Sequence, residues 1–341
     1  MDHARFADRH AREVIDIRHG EDALEAVSRE GFWAFIATFE GLVTAIRFAE
    51  VRPGEPATRV VDWTPLDRHW ESSLGSAAYV NAVDEVRRRI AAGTVYQVNV
   101  CRVLSHPIDD AADLDGLDVI LRQGNPAPHA ARVRCITAGV DIVSASPELF
   151  LSRRGDRLVT RPIKGTAATR QQMLPKDHAE NVMIVDLMRN DLSGVCEPGS
   201  VSVDALCAFE DHPGLVHLVS TVSGRLRHGA TWRDVFGATY PPGSVSGAPK
   251  SSALTAITDL EPTRRGPYCG AIGWVDADND EAELAVGIRT FWAERDGTGR
   301  RWLRFGTGAG ITWHSDPAAE WTETELKAAR LVGLAAGTVT P

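Results

Sequence analysis

The sequence predicts an α+β fold. Strand-like segments arrive in hairpin-like clusters with helices between the clusters, and the strict strand–helix alternation of a parallel doubly wound sheet is absent. With 43% apolar and 24% charged residues, the 341-residue chain has the composition of a globular enzyme and not of a disordered segment.

Taken in order, Phe32 to Phe39 is an apolar run and Leu42 to Phe48 alternates loosely, so both read as strands around a turn at Glu40–Gly41. Val51-Arg52-Pro53-Gly54-Glu55-Pro56 reads as a loop. Tyr79, Val83, Val86 and Ile90 share one helix face, with Asp84–Arg88 and Glu85–Arg89 as i,i+4 pairs on the other. Gly93 ends that helix. Val95 to Leu104 alternates as a strand, placing Gln97, Asn99 and Cys101 on one side and Tyr96, Val98, Val100 and Arg102 on the other. Val140 to Leu151 and Arg157 to Arg161 read as strands around a turn at Arg154–Asp156. A helix over Pro175 to Leu192 buries Val185, Met188 and Leu192. Val216 to Leu226 is a strand, and Pro249 opens a helix at its first position that runs to Leu260. Ala271 to Val275, Glu283 to Phe291 and Trp302 to Phe305 complete the strands. The last helix opens with Asp316 as N-cap and Pro317 at its first position. The glycines of Gly306-Thr307-Gly308-Ala309-Gly310, taken alone, read as a tight turn.

Lys plus Arg number 37 and Asp plus Glu 46, so the formal charge is 37 − 46 = −9. That balance argues against a nucleic-acid partner, which requires a basic face. No apolar run approaches the roughly 20 residues that span a bilayer, and the polar N-terminus is unlike a secretory signal. Five cysteines without a CxxC pair disfavour a disulfide framework and a zinc site. A reducing cytoplasm is therefore the expected location. The loop Gly243 to Ser251 is neither a P-loop, because Lys250 comes three residues after Gly247, nor a nucleophile elbow, because Val245 stands midway.

Five candidates for chemistry stand out. Glu320, Glu323 and Lys327 project from one helix face, and Asp177 and Glu180 from another. Carboxylates from two helices can share a hard cation such as Mg²⁺, although a Glu–Lys pair at this spacing is also an ordinary surface pair. Lys164 closes the strand-end segment Arg161 to Gly165, where desolvation would make it nucleophilic or exposure leave it an ordinary turn lysine. Glu148 follows Ser146-Pro147 in an apolar strand, as a turn former or a buried acid. His217 lies within Leu215-Val216-His217-Leu218-Val219, a setting more typical of a satisfied core histidine than of a catalyst.

Together these segments resemble the chorismate-utilising enzymes, from about residue 76 to 331. The matching blocks are Tyr96-Gln97-Val98-Asn99, Ser146 to Phe150, Arg161 to Thr166, Asp177 to Asn181 and Asp186 to Asp191. They continue with His217 to Thr221, Gly247 to Lys250, Arg265 to Gly273, Gly287 to Thr290, Gly308 to Gly310 and Asp316 to Lys327. The resemblance implies a four-layer α/β/β/α fold with two packed, mainly antiparallel sheets. Residues 1–75 would form a shortened N-terminal segment packed on a catalytic core of residues 76–335, in one structural domain.

The resemblance also implies roles. Glu180 and Glu323 would hold Mg²⁺, with Asp177 and Glu320 beside them. Lys164 would be a covalent nucleophile, Glu148 the general acid, and His217 would line the ring pocket. Arg289 with the amides of Gly308 and Gly310 would bind the enolpyruvyl carboxylate, with Lys327, Thr166 and Gln97 as further polar contacts. In relatives that hydroxylate carbon 2, a lysine stands at the position of Gln97; in those that make anthranilate, an alanine stands at that of Lys164. Gln97 with Lys164 therefore points to the aminodeoxychorismate synthase component I type, which converts chorismate and ammonia to 4-amino-4-deoxychorismate for para-aminobenzoate and folate. The alternatives are an anthranilate or 2-amino-2-deoxyisochorismate synthase, or a non-catalytic chorismate-binding subunit. The chain has no glutaminase motif, so ammonia would come from a separate glutamine amidotransferase subunit, component II. The short N-terminal region lacks the Leu-Leu-Glu-Ser block, which disfavours inhibition by tryptophan.

Overall fold

The computed structural model describes residues 2–54, 61–67, 69–167, 169–212 and 215–339. The chain opens with β1 (His3–Arg5), β2 (Arg9–His19) and α1 (Gly20–Ala26), then the hairpin β3 (Phe32–Ala37) and β4 (Val43–Pro53). The Val51 to Pro53 segment extends β4 instead of forming a loop, because it pairs with Arg9 to Ala11 of β2; Glu55 and Pro56 lie outside the described residues. Next come β5 (Glu71–Ser72), α2 (Ser76–Ala91), β6 (Gln97–Pro107), α3 (Leu114–Gly124), β7 (His129–Cys135), β8 (Val140–Ser146), β9 (Leu149–Arg154), β10 (Arg157–Arg161) and β11 (Ile163–Ala167). The second half holds α4 (Pro175–Ser193), β12 (Ser202–His212), β13 (Leu215–Arg225), α5 (Trp232–Thr239), β14 (Gly247–Ala248) and α6 (Lys250–Leu260). It ends with β15 (Ala271–Asp276), β16 (Glu281–Val286), β17 (Thr290–Arg295), β18 (Arg301–Ile311) and α7 (Pro317–Ala335).

Each strand pairing among these elements is antiparallel, and the pairings connect them into one branched network. One wing runs β6–β18–β17–β8–β7 and the other β2–β4–β3–β15–β16–β9–β10–β13–β12. β1 pairs with both β7 and β2 and so links the wings. Helices α2, α3 and α7 cover the first wing, and α1, α4 and α5 the second, which completes the α/β/β/α order. The first 75 residues supply β2, β4 and β3 at one end of the second wing, where β3 pairs along its whole length with β15.

Packing explains the layers. Leu114, Leu117 and Leu121 of α3 and Leu331 and Leu334 of α7 bury against Val143, Phe291 and Phe305 of the first wing. A larger core joins Trp33 and Phe35 of β3 and Trp274 of β15 to Val185, Met188 and Leu192 of α4 and to Tyr79, Val83 and Val86 of α2. The α2 surface departs from expectation in one pairing: Asp84 bonds Arg87 at 3.5 Å, while Glu85 takes both Arg88 and Arg89. The helix N-caps differ too. Asp316 caps α7 through Ala319 N at 2.8 Å, but Pro249 is extended and α6 begins one residue later. Among the described residues no helix is long and apolar enough to cross a membrane, and all five cysteines are free thiols.

At the junction of the wings, the fully buried Arg132 of β7 bonds Asp115 and Asp141, each at 2.7 Å. Arg301 joins at Asp141 (2.6 Å) and His3 at Asp115 (3.3 Å). Burial alone would raise the Asp115 carboxyl, but the His3 and Arg132 bonds hold it well below the usual range. Its contribution to stability is therefore present above the unfolded carboxylate pKa near 3.9 and is lost as pH falls through the lower folded value. Arg132→Met leaves buried carboxylates short of a partner and is expected to cost about 3 to 5 kcal/mol, read from denaturant unfolding at neutral pH.

Candidate active site

Three strand interruptions build the site. The expected strand Val140 to Leu151 breaks at Pro147-Glu148 into β8 and β9, and the expected strand Glu283 to Phe291 breaks at Gly287-Ile288-Arg289 into β16 and β17. The breaks brace each other: Ala145 N donates to Arg289 O (3.0 Å) and Val286 N to Glu148 O (3.0 Å). Gly287 is required there, because a Cβ would lie 2.1 Å from Pro267 O. Arg289 adopts a left-handed φ of 52°, a conformation that a non-glycine residue rarely takes and that structure elsewhere must hold in place. The third interruption is Pro162, between β10 and β11, which lacks an N–H and leads into Lys164.

Side chains from these breaks converge with β6, β18, α4 and α7 on one cavity of about 630 Å³ between the wings. Lys164, Glu148, His217, Arg289, Gly308, Gly310, Lys327, Thr166, Glu180, Glu323, Asp177 and Glu320 all line it. Gln97 does not. It shares a β6 face with Asn99 and Cys101, which do reach the cavity, but it is fully buried and neither of its amide atoms has a hydrogen-bond partner. The reason is coverage: β14 pairs with Val98 and Gln97 on one side, and Gly310 closes over the amide, where a Cβ would sit 2.5 Å from Nε2.

The glycines read as a tight turn are instead in the C-terminal half of β18, paired with β6. Cβ atoms would meet the Tyr268 ring at 2.0 Å from Gly306 and Cys101 Sγ at 2.6 Å from Gly308. Gly308 lies opposite Cys101 and Gly310 opposite Asn99. Cys101 N donates to Glu261 Oε1 and Asn99 N to Ser246 O, so neither amide points at β18. By the alternation of an antiparallel ladder, these are the non-hydrogen-bonded pairs, and the N–H groups of Gly308 and Gly310 point away from β6. On that side β17 reaches only to Phe305 of β18, which leaves two donors beside Arg289 for an anion.

The remaining polar groups fall into two sets. In the first, Lys164 Nζ donates to Ser244 O at 2.7 Å. Burial lowers its pKa, against the nearby Glu148 and Glu180 charges. Glu148 is 4% exposed, its Oε1 has no partner, and burial raises its pKa. Burial disfavours the charged form of both groups, the direction in which a carboxyl can donate a proton and an amine can attack. His217 hydrogen-bonds Thr166 Oγ1 through Nδ1 at 2.8 Å, so it is both buried and on the cavity wall.

The second set is the carboxylate wall. Burial, with Asp177 and Glu323 adding repulsion, raises Glu180. Burial and Glu323 raise Glu320. Burial would raise Glu323 as well, but Lys327, 2.7 Å away, turns the net shift downward. Asp177 is partly committed, since its Oδ2 accepts from Leu174 N (2.9 Å) and caps α4. Sequence reasoning missed Tyr268, Asn99, Cys101 and Lys176 on the wall. It also missed the buried Glu261–Arg265 pair behind it, in which Arg265 binds Asn99 O and Val245 O. The β6 alternation pointed at Asn99 and Cys101; the others carry no local signal of the cavity.

The sequence signature of the chorismate binding enzymes matches residues 36–333. The chain is 36% identical to anthranilate synthase component 1 of Streptomyces coelicolor over 312 residues, covering 87% of this chain and 59% of the relative. It is equally, 36%, identical to aminodeoxychorismate synthase component 1 of Klebsiella aerogenes over 282 residues, covering 78% and 60%. The chain thus spans somewhat over half the length of the relatives it matches. The fold is similar to that of MenF, a menaquinone-specific isochorismate synthase from Escherichia coli, with a TM-score of 0.81 over 98% of this chain and 89% of that one at 17% identity.

Proposed function

The chain belongs to the chorismate-binding enzyme family, and from that premise we propose that it aminates chorismate at ring carbon 4, as an aminodeoxychorismate synthase component 1. The observation that carries this reading is Lys164: an amine on the cavity wall, held by Ser244 O, with its pKa lowered by burial and with the buried acid Glu148 beside it. Lys164 Nζ forms a bond to carbon 2 as the carbon 4 hydroxyl departs with the Glu148 proton. Ammonia then bonds to carbon 4, Lys164 leaves carbon 2 with its electron pair, and Glu148 is reprotonated from the released proton. Chorismate and ammonia thus give 4-amino-4-deoxychorismate and water. Arg289 and the Gly308 and Gly310 amides orient the enolpyruvyl carboxylate, and His217, fixed by Thr166, packs against the ring.

The carboxylate wall fits Mg²⁺ in donor chemistry. Asp177, Glu180, Glu320 and Glu323 offer hard oxygen ligands whose mutual repulsion a cation relieves. Among the described residues no three such side chains converge closely enough to hold a metal alone, so a bound ion would also need oxygens from water or substrate. Glu180 and Glu323 would hold it, with Lys327 released from Glu323. Bound there, the ion supplies a Lewis acid toward the ring carboxylate. Ammonia would be delivered by a separate glutamine amidotransferase subunit, in keeping with relatives named as component 1.

The equal identity to an anthranilate synthase component 1 supports amination at carbon 2 as the second reading. Mass spectrometry and fluorescence of products from chorismate, ammonium and Mg²⁺ separate the two: aminodeoxychorismate is expected, and anthranilate as sole product would overturn the proposal. In the same assay Glu323→Gln is expected to lose activity and to bind Mn²⁺, read by electron paramagnetic resonance, at least about tenfold more weakly. Unchanged Mn²⁺ binding would remove Glu323 as a ligand. Glutamine in place of ammonium is expected to give no product without a partner subunit.

A further inference from the structure

Lys176 is the one lysine on the cavity wall without a hydrogen bond or ion pair among the described residues. Lys164 is engaged by Ser244 O, and Lys327 by Glu323 and Gly308 O. Lys176 is exposed and stands at the second position of α4. The positive end of a helix dipole disfavours a cation there, and among the described residues no carboxylate comes within ion-pair distance of it. Its charge nevertheless reaches into the cavity, where Glu180, Glu320 and Glu323 all feel it. The exposed side chains of Leu174 and Leu326 line the same cavity. The protein as a whole carries a formal charge of −9.

An anion approaching this cavity therefore meets a repulsive protein and a wall of carboxylates. We propose that Lys176 is the entry cation of the cavity, drawing a dicarboxylate substrate to the mouth and passing it inward to Arg289. The inference rests on the proposed substrate, a cyclohexadiene dicarboxylate, and concerns capture and not the chemical step. An exposed cation at a mouth acts through a field that salt screens with a Debye length of about 10 Å at 0.1 M. It raises the association rate with little effect on events inside.

The test compares wild type, Lys176→Met and Lys176→Arg with chorismate, ammonium and Mg²⁺ over a range of ionic strength. The rate of chorismate association is followed separately by tryptophan fluorescence without ammonia. Lys176→Met is expected to keep kcat, to lose about tenfold in kcat/KM and in association rate at low salt, and to show a flattened salt dependence of both. Lys176→Arg is expected to retain wild-type values, because charge and not shape is what matters. An unchanged association rate and salt slope in Lys176→Met would overturn the proposal, as would a fall in kcat alone. A wild type that neither binds nor consumes chorismate would instead defeat the reading of the substrate, so the two failures are told apart.

Discussion

Lys164→Ala is expected to lower 4-amination by on the order of 10³-fold or more, the scale on which removal of a covalent nucleophile is felt. The argument is geometric first. Lys164 extends from β11 just after Pro162 interrupts the strand, and its Nζ is positioned by a single backbone acceptor, Ser244 O. That carbonyl also accepts from Asn99 Nδ2 at 2.9 Å, which fixes it to β6. One hydrogen bond in a desolvated site holds an amine without locking it in the charged form, and burial biases it toward neutrality. Wild-type enzyme given chorismate without ammonia is expected to accumulate an adduct on Lys164, visible by intact mass and absent in the alanine variant. Residual turnover in Lys164→Ala is expected to shift toward anthranilate, because direct attack of ammonia at carbon 2 then has no competitor. Undiminished 4-amination in that variant would make Lys164 a binding residue.

The elements were legible where period and caps agree. Tyr79, Val83 and Val86 gave α2, Asp316-Pro317 gave the start of α7, and alternation along Gln97 to Cys101 gave the correct faces of β6. The interruptions were not, although they make the site. Buried apolar residues flank both breaks, Ala145 and Leu149 around the first and Val286 and Phe291 around the second, and they hide the interruptions. Pro147 was the visible signal in the first, and Gly287 in the second. The α3 helix was missed, although Asp113 as N-cap and Leu114, Leu117 and Leu121 on one face carry its signal.

Two features lay beyond local reading. Gly306, Gly308 and Gly310 look like a turn in isolation, and only the Tyr268 ring, Cys101 and Gln97, brought from distant segments, make each a place where a side chain cannot fit. Gln97 itself has the orientation its alternation implies, yet β14 and Gly310 shut it from the cavity. Its two unsatisfied amide atoms are unusual, since buried amides without partners are rare. A subfamily distinction drawn at Gln97 therefore acts from behind the wall, whereas the one drawn at Lys164 acts on it.

Glu148→Gln is expected to reduce turnover about 10²- to 10⁴-fold, the range for loss of a general acid, with the fold intact because the amide has the same shape as the acid. The pH profile supplies the sharper reading. Burial raises Glu148 and lowers Lys164, each partly opposed by the other's charge, so the two share a proton inventory. The working state, neutral lysine with protonated carboxyl, carries one proton. At lower pH the pair holds two and the lysine cannot attack; at higher pH it holds none and the carboxyl cannot donate. Wild-type activity measured at fixed free ammonia is therefore expected to be bell-shaped, with limbs that belong to the pair. In Glu148→Gln the alkaline limb should vanish, since glutamine has no proton to lose, while the acid limb should move upward because the carboxyl no longer shares its proton with Lys164. A variant that keeps both limbs at their wild-type positions would show that Glu148 is not the proton donor, whatever its effect on rate.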